Sequence, residues 1–189
     1  MVSALIISSS DKGKDILSDI LKMSGFSSID TASSGSEGRR VLMDNNFDLI
    51  LINAPLFDEF GHDLALNITT NTSSGVILMV KRDMADGVSS KVEDFGVFIV
   101  EKPLNKQLLY QAIKLVNKST KSILKLKEEN LKLKNKISEI RIIDRAKCIL
   151  IQYLNMTEPQ AHRYIEKQAM DRRITKKDVA QNILKTYEN

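Results

Sequence analysis

Arg172, Arg173, Lys176 and Lys177 put four cations within six positions of this 189-residue chain. A cluster of that density can hold a polyanion, although a solvated helix terminus would also carry it. The cluster lies where two short helices are expected to meet. Thr157-x-x-Gln160 is a capping box, with Pro159 in the first turn where its missing N–H costs little. Thr175-x-x-Asp178 forms a second box in which an acid replaces the usual Glu or Gln. Ala161, Ile165, Ala169, Val179, Ile183 and Leu184 have the spacing of a small helical core. A module of this size buries little surface and is marginal without partners.

The wording of the segment is more specific than its charge. Ala146-Lys147-x-Ile149-Leu150, Met156-Thr157-Glu158, Tyr164, Gln168-Ala169-Met170-Asp171-Arg172 and Val179-Ala180 resemble the ANTAR domain, the RNA-binding output module of bacterial antitermination regulators. The resemblance implies a three-helix bundle that binds a small RNA hairpin and so denies bases to a terminator. On that reading Tyr164 and Met170 either pack in the core or present a flat or soft surface to an unstacked base. Gln168 belongs to the matching core, and Ala169 is small enough to let RNA approach the helix. Arg172, Arg173, Lys176 and Lys177 would neutralise loop phosphates, with Arg also able to stack.

These residues need elements to hold them. The net charge of +4 divides unevenly. Residues 1–117 hold 11 Lys and Arg against 15 Asp and Glu, whereas residues 118–189 hold 17 against 9. That asymmetry suits a regulatory half joined to a nucleic-acid-binding half. No apolar stretch approaches the ~20 residues a membrane helix requires, and a single cysteine excludes an internal disulfide. The composition is that of a soluble cytoplasmic protein. Cys148 sits in an apolar helical run and is assigned to packing.

In the first half, short apolar runs alternate with helical patterns. Ala4–Ile7, Asp48–Ile52, Val76–Val80 and Val97–Val100 read as strands covered on both faces, with a weaker strand near Ser28–Ala32. Lys14–Met23, Glu37–Asn45 and Asp58–Thr70 have helical lengths, so the pattern predicts a parallel sheet with right-handed crossovers. The strand Asp48–Asn53, Gly61 beyond it, and Glu101-Lys102-Pro103 resemble the receiver domain of two-component response regulators. The resemblance implies a five-stranded flavodoxin-like fold whose ligands sit at the carboxyl ends of the strands.

It also implies a chemistry: an acid pair holding Mg²⁺, an Asp that takes the phosphoryl group, a hydroxyl, and a Lys. Here Ser8 and Ser9 stand for the acid pair, Asn53 for the acceptor and Val80 for the hydroxyl; only Lys102 is retained. An amide does not form an acyl phosphate, and a hard cation wants carboxylate oxygens. Asp58, five residues past Asn53, is too exposed to substitute. The expectation is a pseudo-receiver that needs no metal or cofactor, and a regulatory protein partner is one possible input.

From Asn105 the pattern turns helical and runs to Leu154 without Gly or Pro. A heptad register places Val116, Ile123, Asn130 and Ile137 at one seam position and Ser119, Leu126, Leu133 and Ile140 at the other. This predicts a parallel homodimeric coiled coil, with Asn130 favouring two strands in register. The organisation expected is α/β plus all-α: a receiver-like domain over 1–118, a coiled-coil linker over 119–144, and a three-helix RNA-binding bundle over 145–189. The alternatives are a DNA-binding regulator, since two capped helices and a turn also suit duplex DNA, and a coiled-coil adaptor. No glycine-rich phosphate loop, metal cluster or nucleophile–base set supports an enzyme.

Overall fold

The computed structural model describes residues 2–187, so Met1, Glu188 and Asn189, which close the two outer domain ranges, lie outside the described residues. The chain forms two compact units, residues 1–125 and 126–189. In the first, five parallel strands have the order β2-β1-β3-β4-β5. They are β1 (Ser3–Ser8), β2 (Ser28–Ala32), β3 (Leu49–Asn53), β4 (Gly75–Lys81) and β5 (Val97–Lys102). The intervening helices are α1 (Asp11–Met23), α2 (Gly35–Asp44), α3 (His62–Asn71) and α4 (Arg82–Val92). The last of these escapes the apolar pattern, because only Ala85, Val88 and Val92 along it are buried.

Alternation along the strands makes two cores. Leu5, Ile7, Ile50, Ile52, Leu78 and Val80 pack on the side covered by Leu64, Ile68, Val88 and Val92. Ala4, Ile6, Leu49, Leu51, Ile77 and Met79 pack on the side of Leu17, Leu21, Leu109 and Ile113. Burying a side chain of this size stabilises by about 1.5–3 kcal/mol, so the sheet unit carries ample apolar burial of its own.

Helix α5 runs from Lys106 to Leu154 and enters both units. It starts where the Asn105 side chain accepts from the backbone N–H groups of Gln107 and Leu108, at 2.9 and 3.2 Å. Its first turns serve the sheet. Val116, assigned by the heptad register to a helix–helix seam, is buried in the sheet's core instead. Beyond it Ile123, Leu126, Leu133, Ile137 and Ile140 are half or more exposed, and Asn130 is exposed among them.

The second unit adds α6 (Glu158–Arg172) and α7 (Lys176–Tyr187) to the last part of α5. Its buried core is Ala146, Ile149 and Leu150 of α5, Ala161, Ile165 and Ala169 of α6, and Val179, Ala180 and Ile183 of α7. Four of those nine are alanines, which allow close helix approach at the cost of little apolar burial. Cys148 faces outward rather than packing, because the inward row of α5 is Ala146, Ile149 and Leu150. Among the described residues no helix is long and apolar enough to cross a membrane.

Candidate functional site

The junction of α6 and α7 is built by its caps. Thr157 and Gln160 close the capping box that starts α6, and Thr175 and Asp178 bond reciprocally at the start of α7. Hydrogen bonds from Thr175 hold the Asp178 carboxyl below the usual carboxylate range. Between the caps the chain turns through a Schellman motif: Arg173 N–H donates to Met170 O and Ile174 N–H to Ala169 O, at 3.2 and 3.1 Å. The left-handed position of that motif, φ 55°, is filled by Arg173 where glycine is the unstrained choice. Arg172, Arg173 and Lys177 are exposed and have no ion-pair partner among the described residues. Lys176 is bound to Glu166 at 2.5 Å, and His162 reaches the same carboxylate at 3.2 Å. The Lys176 hydrogen bond, with its charge, holds Glu166 below the usual range.

At the strand ends of the other unit the polar groups bond to one another. Asn53 Nδ2 donates to Ser8 Oγ at 2.9 Å, and that hydroxyl donates to Ser10 O at 3.2 Å. Ser8 has no exposed surface, and Asn53 Oδ1 is buried without a partner. The first turn of α1 closes over the pair: a Cβ on Gly13 would lie 2.9 Å from Asn53 Nδ2 and 3.1 Å from Ser8 Oγ. Ser9 donates to Pro55 O at 3.3 Å, and Lys102 Nζ donates to Ala54 O. Burial, then the nearby Lys81 ammonium, pushes the Lys102 amine down from its ordinary value. Two hydroxyls and an amide, one hydroxyl sealed from solvent, do not suit Mg²⁺, which is held by carboxylate oxygens in such a place.

Asp58 is exposed but engaged. Its carboxylate accepts from Gly35 and Ser36 N–H, both at 2.8 Å, and caps α2 from the β3–α3 loop. The Ser36 and Gly35 backbone donors hold its pKa at about 2. Beside it Arg39 grips Glu59 with two bonds of 2.5 and 2.9 Å. Glycine at position 35 leaves room for that pair, since a Cβ there would fall 1.7 Å from Glu59 Oε1 and displace the Glu59 side chain.

Comparison with known proteins matches these two geometries separately. The sheet unit is similar to a receiver domain from Clostridium thermocellum, at TM-score 0.59 and 21% identity over 65% of this chain and 99% of that one. It is also similar to a two-component response regulator from Clostridium difficile, at TM-score 0.53 and 26% identity over 61% and 95%. Residues 131–184 match the ANTAR domain. The chain therefore carries an ANTAR domain beside a unit with the receiver fold. Over 170 residues, 90% of this chain and 83% of the other, it is 26% identical to Transcriptional regulatory protein PdtaR of Mycobacterium tuberculosis.

Within the ANTAR unit, the residues expected to meet RNA divide. Tyr164, Gln168 and Arg172 recur every four residues and line one row of α6, with Tyr164 37% exposed. Met170, at 78% exposed, points away from the core. Ala169 is 8% exposed and packed in the three-helix core, where its spacing placed it. Arg163 and Lys167 were missed. They are exposed, unpaired among the described residues, and flank Met170 at helical spacing. That i, i+4 pattern was the signal available.

Within the receiver unit, Ser8, Asn53 and Lys102 lie on one face of the sheet, as β1–β3 and β4–β5 pairing places them. Val80 does not join them. It is fully buried in the opposite core, and the β4 residue in register with Lys102 is Lys81. Successive strand residues face opposite ways, so a one-residue difference moves the side chain across the sheet.

Proposed function

We propose that this ANTAR regulator binds small RNA hairpins, in tandem, in nascent transcripts and so prevents a terminator from forming. The observation that carries this reading is the strained Arg173 at the α6–α7 junction. It stands in a left-handed position that favours glycine, next to Arg172 and Lys177, inside the segment that matches the ANTAR domain. Backbone strain held at an exposed cation suits a contact residue better than a packing one. Tyr164 and Gln168 supply stacking and amide groups for splayed loop bases, while Arg172, Arg173 and Lys177 meet phosphates. Lys176 contributes once it exchanges Glu166 for a phosphate, and Arg163 and Lys167 extend the cationic surface.

The protein acts as a dimer through the exposed stripe Ile123, Leu126, Asn130, Leu133, Ile137 and Ile140 of α5. Two modules held together gain effective concentration on two linked hairpins. The receiver unit works without phosphoryl transfer, because Asn53 is tied to a sealed Ser8 and Asp58 is held by α2. A regulatory protein partner is its input in the cytoplasm. The test is binding of the whole chain to paired RNA hairpins against the same sequence as DNA duplex, with no phosphodonor, over a salt series. Loop-dependent binding to RNA that falls on Arg172→Ala/Arg173→Ala supports the reading. Equal, salt-sensitive binding to both nucleic acids, or indifference to the substitutions, overturns it.

A further inference from the structure

We propose that a basic groove on α5, inside the receiver unit, is a second phosphate-binding surface for the same RNA. The groove, of about 460 Å³, is lined by Lys114, Lys118, Lys121 and Lys125 together with Asn117, Ser24 and Ser122. No acid lines it. All four lysines are exposed, and none has an ion-pair partner among the described residues. Lys114 is steered by its contact with the Tyr110 ring, 4.5 Å from the ring centre. The oxygen of Asn117 is buried, which leaves its NH₂ group to the groove. The groove thus offers four cations and an amide donor, with Ser122 beside them, while the Ser24 hydroxyl is spent on Ile20 O at 2.8 Å.

The spacing of the lysines argues for a polyanion rather than a lone phosphate. Steps of four, three and four residues keep them on one face over about 16 Å of helix. Like charges at these separations weaken a helix, and no ion pair among the described residues offsets them. A chain of phosphates would engage the whole row, where a single anion meets one or two. In the heptad register of α5 these lysines fall on the side away from Ile123, Leu126 and Leu133, so dimerisation leaves them open. Lysines hold phosphates as point charges without reading bases, so the groove positions RNA and the ANTAR unit selects it. This inference rests on the RNA-binding reading above, which favours RNA over an acidic protein segment as occupant.

The test uses the full-length chain and an RNA of two stem-loops with unpaired flanks, titrated over a salt series. Wild type is compared with Lys118→Gln/Lys121→Gln and, separately, with Arg172→Ala/Arg173→Ala. The lysine pair is expected to weaken binding several-fold. It should also reduce the slope of log affinity against log salt by roughly 1.4, about 0.7 for each single-strand phosphate that is no longer neutralised. Thermal stability is expected to hold, since both positions are exposed and Gln keeps the helix. An unchanged slope and affinity in the lysine variant, with loss in the arginine variant, overturns the groove and leaves the hairpin reading standing. Loss in the lysine variant alone supports the groove and removes the assigned ANTAR surface. If poly-glutamate binding depends on Lys118 and Lys121 and RNA binding does not, the groove is a site for acidic protein and the proposal fails.

Discussion

In the receiver unit the polar residues at the strand ends are turned in on one another, with Asn53 on Ser8, Ser8 on Ser10 and Lys102 on the Ala54 carbonyl. In the ANTAR unit Arg172, Arg173 and Lys177 stand exposed and unpaired among the described residues, one of them on a strained backbone. The first arrangement pairs its groups with one another, Asn53 Oδ1 excepted. The second leaves charge that a ligand can pair. The difference separates strand ends whose polar groups are engaged with one another from a helix junction that offers unpaired cations to a ligand.

The largest way to break the contrast is to remove the link between two copies. Leu133→Asp places a charge in the exposed seam without touching either core. Tandem-hairpin affinity is expected to fall by about 100-fold while single-hairpin affinity stays near wild type. Sedimentation and parallel titrations on both RNAs check it, and equal affinities for tandem RNA before and after the change refute the seam.

Arg173→Gly sharpens the contrast, since it should move stability and binding in opposite directions. Relief of the left-handed backbone is expected to raise the ANTAR unit's stability by about 1 kcal/mol, and removal of the cation to lower hairpin affinity several-fold. Denaturant unfolding together with RNA titration reads both. A destabilised variant would show that Arg173 is held there by packing.

The receiver side is tested by what does not happen. Incubation with acetyl phosphate and Mg²⁺ is expected to leave the intact mass unchanged in wild type and in Asn53→Asp, because no acid pair accompanies the restored carboxylate. A phosphoryl adduct in wild type would sink the phosphate-independent reading.

The smallest effect belongs to Asp58. Its pKa is depressed to about 2 by the α2 backbone. The stability it contributes is therefore present above the ordinary Asp value, near 3.9, and is lost as pH falls toward about 2. Asp58→Asn should flatten the melting temperature of the receiver unit over that range, measured by thermal unfolding at stepped pH. An unaltered profile would mean the loop is held by Arg39 and Glu59 instead.

Much of this was legible in the residues. Strong apolar runs announced the strands, Thr157 and Thr175 announced both short helices, and the run from Asn105 to Leu154 announced α5 because nothing in it breaks a helix. α4 was not announced, since three buried residues around Gly87 give too weak a period. Val80 was misplaced for a related reason. A parallel strand buried on both faces is apolar at every position, so its sequence carries no alternation from which to read which way a side chain points.

By itself, then, the sequence determined what each segment is made of: the missing carboxylates at positions 8, 9 and 53, the cations at 172–177, and the caps between them. These follow from local chemistry, which residue type and near spacing specify. Only the tertiary structure decided facing and partnership. It put Lys81 beside Lys102, tied Asp58 to α2, and joined Ser24 with four lysines of α5 in one groove. Those outcomes depend on strand register and on which helix face meets the sheet, and residues far apart in the chain settle both.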